Sequence, residues 1–271
     1  MMKKETGMTL QDRFRTTLKD ERVRILYVTL REMFEDVLNA ECLKNDPVEV
    51  FCRSLSAEEA IGTPKRKDYP ILTGKDVMIQ AEYRGFRGQA FTDAPSTFSG
   101  TLEEILNLDI VGNAHERGLF IAVMNAVLCS LGRCGNTVHC RTDGPERCAA
   151  AARSILREQW PNANNVTLVG YQPALLQMLA ESGYDTVRVL DLNPANIGQE
   201  RFGITIEDGQ TCTESAISSA DLILCTGSTL SNGTIVDYIG LDKVVFYGIT
   251  AAGAAELLGL RRLCFADCFP A

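Results

Sequence analysis

Several things that would identify a function at once are missing from these 271 residues. Histidine is nearly absent, with only His115 and His139. No Gly-x-Ser-x-Gly elbow occurs, so a Ser-His-Asp hydrolase has no support. The dinucleotide fingerprint Gly-x-Gly-x-x-Gly and the phosphate loop Gly-x-x-x-x-Gly-Lys-Ser/Thr are both absent, which removes the tight pyrophosphate turn and the ATPase loop. There is no basic excess: 27 Lys and Arg stand against 35 Asp and Glu, a net charge of −8 that argues against non-specific nucleic-acid binding. The longest apolar stretch, Leu119–Leu131, is broken by Asn125 and Ser130 and is too short to span a bilayer. The first residues carry no apolar core of a signal peptide, so a cytoplasmic location with reduced cysteines is expected. A chain this long folds without disulfide staples. Ten cysteines are the one composition figure far above ordinary usage.

The chain reads as an α/β protein in two parts, divided near residue 135 within a glycine-rich stretch from Gly132 to Pro145. In residues 1–135, Phe14, Leu18, Val23, Leu26, Leu30, Met33, Phe34 and Leu38 recur at helical spacing. Val48–Phe51, Lys75–Ala81 and Gly88–Thr92 read as extended, the last two joined by a turn at Arg84–Arg87. Thr101-x-x-Glu104 is a capping box opening a helix, and Glu116–Leu131 is a helix with one apolar stripe. In residues 136–271 a helix over Glu146–Trp160 precedes strands at Val166–Val169, Val187–Leu190, Asp221–Cys225, Lys243–Tyr247 and Leu263–Phe265. Helices are expected from Pro173 to Gly183, over Ile235–Ile239 and over Ala251–Leu258. Strands alternating with helices imply a parallel sheet covered on both faces, with ligands beyond the carboxyl ends of its strands.

Three loops meet that description. Gly170-Tyr171-Gln172-Pro173 opens a helix whose free N–H groups face a ligand. Asp191 ends the next strand, where a carboxylate meets a ribose hydroxyl in nucleotide sites, or simply caps a turn with Asn193-Pro194. The segment Thr226-Gly-Ser-Thr-Leu-Ser-Asn-Gly-Thr234 places five hydroxyl residues and two glycines in nine positions, more than one helix cap needs. Thr226, Gly227, Ser228, Thr229, Asn232, Gly233 and Thr234 are therefore candidate ligand contacts. In the first part, Asn113 and Arg117 share a helix face, and Asn125 lies in an apolar run where it needs partners.

Asn113-Ala-His-Glu-Arg117 followed by Met124-Asn125-Ala126 resembles the motif Asn-Pro-x-x-Arg … Ala-x-Asn-Ala, with Ala114 where proline is usual. Gly170-Tyr171 and the Thr226–Thr234 loop resemble the second domain of the same family. Over residues 10 to 268 the sequence is similar to the two-domain bacterial and archaeal heavy-metal chelation family. The resemblance implies a domain like the N-terminal domain of enolase followed by a Rossmann-like domain. It also implies a cleft between them, lined by Asn113, Arg117 and Asn125 on one side and by Gly170, Tyr171, Asp191 and the hydroxyl loop on the other.

The cysteines test a metal reading directly. Cys129, Cys134, Cys140 and Cys148 are separated by four, five and seven residues, which fits no zinc ribbon or ferredoxin run. Cys134, His139, Cys140 and Cys148 around the linker are the metal-ligand candidates, while Cys129 and Cys264 read as core and Cys42, Cys52 and Cys212 as isolated. Cys225, at a strand end before a helix, is a nucleophile candidate only if it is accessible. Two functions remain open. One is binding of a small anionic ligand or metal complex in metal handling. The other is a transferase or related enzyme using a nucleotide or S-adenosylmethionine. A transition or heavy metal is the cofactor expectation; neither nucleic acid nor membrane is an expected partner, and homo-oligomerisation is left open.

Overall fold

A computed structural model describes residues 10–45, 50–73 and 77–268. The predicted starts of two strands, at Val48 and Lys75, lie outside them. Helix α1 (Leu10–Ala40) leads into strand β1 (Val50–Leu55) and the short helix α2 (Ala57–Ile61). The hairpin β2 (Val77–Tyr83) and β3 (Phe86–Thr92) turns on two residues, Arg84 and Gly85, at φ 50° and 82°. Positive φ at both positions matches the twist of the flanking strands. Strand β4 (Phe98–Gly100) pairs with β1, giving a four-stranded antiparallel sheet in the order β3-β2-β1-β4.

Helix α3 (Leu102–Leu106) starts at the expected capping box: the Thr101 hydroxyl accepts from Glu104 N–H, and the Glu104 carboxylate accepts from Thr101 N–H. Helix α4 (Ala114–Ser130) departs from the one-stripe expectation, because every residue from Arg117 to Leu128 is buried. The antiparallel sheet covers one side of it, through β2 and β3. Gly88 of β3 permits that approach, since a Cβ there would stand 2.2 Å from Ala126 N and 2.3 Å from Ala122 O.

Helix α5 (Gly144–Gln159) leads into β5 (Asn165–Val169), α6 (Pro173–Ala180) and β6 (Thr186–Asp191). The antiparallel pair β7 (Glu200–Arg201) and β8 (Ile204–Asp208) precedes α7 (Gly209–Ser219). Strand β9 (Leu222–Thr226) is followed by the single helical turn α8 (Thr229–Asn232) and a 3-10 turn, Thr234–Asp237, where a longer helix was expected. Strand β10 (Val244–Tyr247), helix α9 (Ala252–Leu258) and strand β11 (Arg262–Leu263) complete the chain. These strands form a seven-stranded sheet in the order β11-β10-β9-β5-β6-β8-β7, parallel except for β7. The winding direction reverses between β5 and β9.

Alternation along the strands sends Val166, Leu168, Val189 and Leu224 to a cluster under α5 and α6. It sends Val169, Ile223, Cys225 and Phe246 to the opposite face. On that face one continuous apolar cluster takes in Leu30 and Phe34 of α1, Ile79 of β2, Val123 of α4 and Leu257 of α9. Helix α4 packs against α8 and α9 on the side away from the antiparallel sheet, which is why it has no polar face. No helix among the described residues is long and apolar enough to cross a membrane.

Candidate functional site

A cavity of about 1250 Å³ opens at the carboxyl ends of the parallel strands. Gly170, Asp191, Thr226 and Gly248 follow or end β5, β6, β9 and β10 and form its floor. Lys19 and Arg22 of α1 and the 91–93 segment at the end of β3 line the cavity as well. Its position is the one a doubly wound sheet provides, where adjacent loops diverge from the reversal point.

The floor is tightly built. Gly170 has φ 87°, and a Cβ there would lie 2.6 Å from Thr226 Cγ2, so the β5 and β9 loops meet only because this residue has no side chain. The Asp191 carboxylate accepts from Tyr171 N–H at 2.7 Å and from Asn193 N–H at 2.6 Å. Each of its oxygens already takes a backbone donor, so the turn-cap reading of this residue describes its geometry. Tyr171 reaches the 63–70 loop through Asp68 at 3.3 Å, and burial raises its phenol pKa.

The hydroxyl loop divides by task. Thr229 donates to Thr226 O at 2.7 Å and Ser231 donates to Phe91 O at 2.6 Å, so these two hydroxyls hold the backbone. Gly227 packs against the turn after β10, with Ala251 N 2.8 Å from where a Cβ would sit. Gly233 faces Val23 of α1 at φ 79°. Asn232 accepts from the Thr234 N–H and hydroxyl. Thr226 and Ser228 remain half-buried at the cavity wall with their hydroxyls 2.8 Å apart. Tyr247 is a second partner of the Thr226 hydroxyl, so the proton that can turn to an acceptor in the cavity is that of Ser228.

The three polar residues of the α4 motif do something other than line this cavity. Asn113 caps α4, accepting from His115 N–H at 3.0 Å and Glu116 N–H at 3.4 Å. Arg117 is 9% exposed and donates to Ile110 O at 2.7 Å, Val111 O at 2.7 Å and Ser231 O at 2.9 Å. Its guanidinium lies over the Tyr27 ring, 4.5 Å from the centroid. Asn125, fully buried, donates to Gln89 O, Ile249 O and Thr250 O and accepts from Gly253 N–H at 2.7 Å. Arg117 ties the segment before α4 to the loop after β9, and Asn125 ties α4 to β3 and to the turn after β10.

The cysteines are not gathered as a four-ligand set. Cys134 packs on the central core, where burial pushes its thiol up to about 12. The linker beyond it runs along β3: the Thr137 hydroxyl donates to Arg87 O and Gln89 N–H donates to Thr137 O. Cys129, and not Cys140, is the thiol that acts on Cys134. Cys140 and Cys148 both line the cavity wall, near enough for each thiol to act on the titration of the other. His139 beside them has its Nδ1 on Cys140 O at 2.6 Å, and burial lowers its pKa. Among the described residues, no three His, Cys, Asp or Glu side chains are grouped to hold a metal ion. Cys225 is fully buried and its thiol pKa is raised by that burial, which removes the condition for a nucleophile.

Sequence reasoning missed Lys19, Arg22 and Asn196, all on the cavity wall. Lys19 pairs with Asp237 at 2.6 Å. Arg22 donates to Val236 O. Asn196 Nδ2 is buried with no protein acceptor. The first two sit on a helix whose placement over the hydroxyl loop no local pattern announces; the third was hidden in a segment read as a turn cap.

Fold and site together define an α/β protein with a mostly parallel sheet and a cavity at its switch point. Residues 156–262 match the model of a family described as "putative heavy-metal chelation", the family the sequence resembles. Comparison with curated proteins and with solved structures gives no match.

Proposed function

We propose that the protein binds a small metal complex in this cavity and serves in heavy-metal handling. In this reading the 1–135 part is an enolase-N-terminal-like domain, the 136–271 part is Rossmann-like, and the cavity is the cleft between them. The observation that carries it is the mixed chemistry of the wall. Ser228 offers a hydroxyl donor and Asn196 Nδ2 offers a buried donor lacking an acceptor, which suits the oxygens of an anionic chelator. Arg22 adds positive charge to the wall and Asp93 and Glu214 bring negative charge to it, while Lys19 and Asp237 are paired with each other. A bare anion meets those carboxylates unfavourably; a chelate, with metal and carboxylates in one ligand, answers both signs. The nucleotide-enzyme reading has no glycine fingerprint behind it, and Asp191 serves as a cap for two backbone N–H groups.

Thermal-shift titrations with a divalent metal alone, a tricarboxylate such as citrate alone, and their complex test the proposal. Stabilisation by the complex beyond either component, lost in Ser228→Ala, is the expected result. Stabilisation by nucleotide or S-adenosylmethionine instead, or by none of these ligands, overturns it.

A further inference from the structure

Four of the seven tyrosines, Tyr69, Tyr171, Tyr238 and Tyr247, line the large cavity, in a chain that is only 7% aromatic. Each phenol hydroxyl is tied to protein. Tyr69 donates to the Glu146 carboxylate at 2.8 Å, Tyr171 to the Asp68 carboxylate at 3.3 Å and Tyr247 to Gly170 O at 2.8 Å. The Tyr238 hydroxyl lies 3.4 Å from that of Thr213. With the hydroxyls engaged, these residues offer a ligand mainly their rings. The apolar wall comes from two separate clusters. Tyr69 and Ile71, with Phe91 packed on them, belong to one around Met78 of β2. Tyr171 and Leu175, with Phe265 packed on them, belong to the other, on the parallel sheet under α5 and α6. All six line the cavity. From this arrangement we infer that the ligand carries an aromatic body on its anionic chelating head, with the body lying between the two clusters. The inference names the ligand class of the proposed chelate site and rests on that reading for the head; the aromatic part is also tested without metal.

Volume and chemistry both select such a ligand. At about 1250 Å³ the cavity exceeds the roughly 300–1,000 Å³ of most small-molecule sites. A small tricarboxylate complex engages the donors of Ser228 and Asn196 but leaves the apolar wall against water. Removing that surface from water favours a ligand in proportion to the area it covers. A flat ring covers such a wall without freezing many rotatable bonds, and offset or edge-to-face contact with fixed rings adds to the gain. The wall already packs rings this way: Phe91 meets His139 edge to face, with 5.5 Å between centroids. Rings held by hydrogen bonds lose little freedom when a ligand enters, so the pocket is prepared in advance.

Isothermal titration of the full chain with two Ni(II) complexes tests this, one of ethylenediaminetetraacetate and one of its 1-benzyl derivative. They share chelating head, charge and filled metal coordination, and differ by one aryl group. The benzyl complex is expected to bind at least about 10-fold tighter. That advantage should shrink in Ile71→Ser and in Phe265→Ser, one from each cluster, and persist in Phe86→Ser, an exposed ring outside the cavity lining. Equal affinity of the two complexes overturns the inference and leaves the chelate reading intact. An advantage that survives both cavity variants, or is lost in Phe86→Ser, overturns it as well. If a cavity variant fails to fold, competition on the native chain decides. The benzyl complex should displace 2-naphthoate, a metal-free aryl anion followed by its fluorescence, and the simple complex should not; displacement by both or by neither overturns the aromatic pocket. If neither complex binds, the chelate reading fails, and 2-naphthoate alone decides the aromatic part: one equivalent bound supports it and none overturns it.

Discussion

Arg117→Met separates a structural clamp from a ligand contact. The guanidinium is almost wholly buried and donates to three main-chain carbonyls, two in the segment before α4 and one, Ser231 O, in the loop after β9. No carboxylate pairs with it in these contacts; its charge is met by carbonyl dipoles and by the face of Tyr27. Methionine fills a similar volume but donates nothing. Hydrogen bonds to a charged donor are each worth about 1.5–3 kcal/mol, the ring contact adds about 1 kcal/mol, and relief from burying the cation offsets part of the sum. A net loss of about 3–5 kcal/mol follows, a large fraction of the roughly 5–15 kcal/mol that holds a native protein together. That corresponds to a fall in melting temperature of about 10 °C for a chain of this size. Arg117→Lys keeps the charge and loses the planar fork, so it should recover only part of the loss. Calorimetry or urea denaturation reads both variants. A loss below about 1 kcal/mol in the methionine variant, alongside abolished ligand binding, refutes the clamp and restores the ligand role.

Three further outcomes are expected. Asn125→Asp replaces a donor to three carbonyls by an acceptor in a fully buried position, and should destabilise by about 3 kcal/mol or more in denaturant titration; a neutral effect contradicts the described network. Gly88→Ala forces a methyl into the backbone of α4, so soluble yield and melting temperature should collapse, and an unchanged melting temperature contradicts the described packing. Stability should hold above about pH 5 and decline as pH falls below 4.5. Glu207, paired with Arg188, Asp221, bonded by Asn165 and Asn164 N–H, and Glu59, lowered to about 2 by Arg53, all titrate lower in the folded state. The unfolded chain therefore takes up protons first. Glu207→Gln should flatten part of that decline in a pH series of urea midpoints, and an unchanged slope contradicts the pairing.

Local chemistry was legible where a segment settles its own structure. The Thr101 capping box, the Pro173 start of α6, the apolar strands β5, β9 and β10, and the polar sites beyond their ends all follow from short-range pattern. Strand β8 and helix α7 escaped because Ile204–Ser219 is rich in Thr, Ser, Asp and Glu and shows little apolar period. Helix α4 was recognised as a helix but misread as amphipathic, since its second partner layer comes from α8 and α9, more than a hundred residues later. The same distance explains Arg117 and Asn125. Their side chains announce a need for acceptors, and the acceptors arrive from Ser231, Ile249 and Thr250, which only the folded chain brings near. Two hydroxyls of the Thr226–Thr234 loop went the same way, to internal backbone bonds.

Isothermal titration of one metal–citrate complex into the native chain, Ser228→Ala and Asn196→Ala is the most direct test of the central claim. Neither residue is committed to the core, so both variants should fold normally. Each removes one donor to a charged ligand, which should weaken binding about 10–100-fold while the melting temperature of the free protein stays unchanged. Binding of the complex with equal affinity to all three proteins, or no heat of binding to the native chain, contradicts the assignment of this cavity as the ligand site.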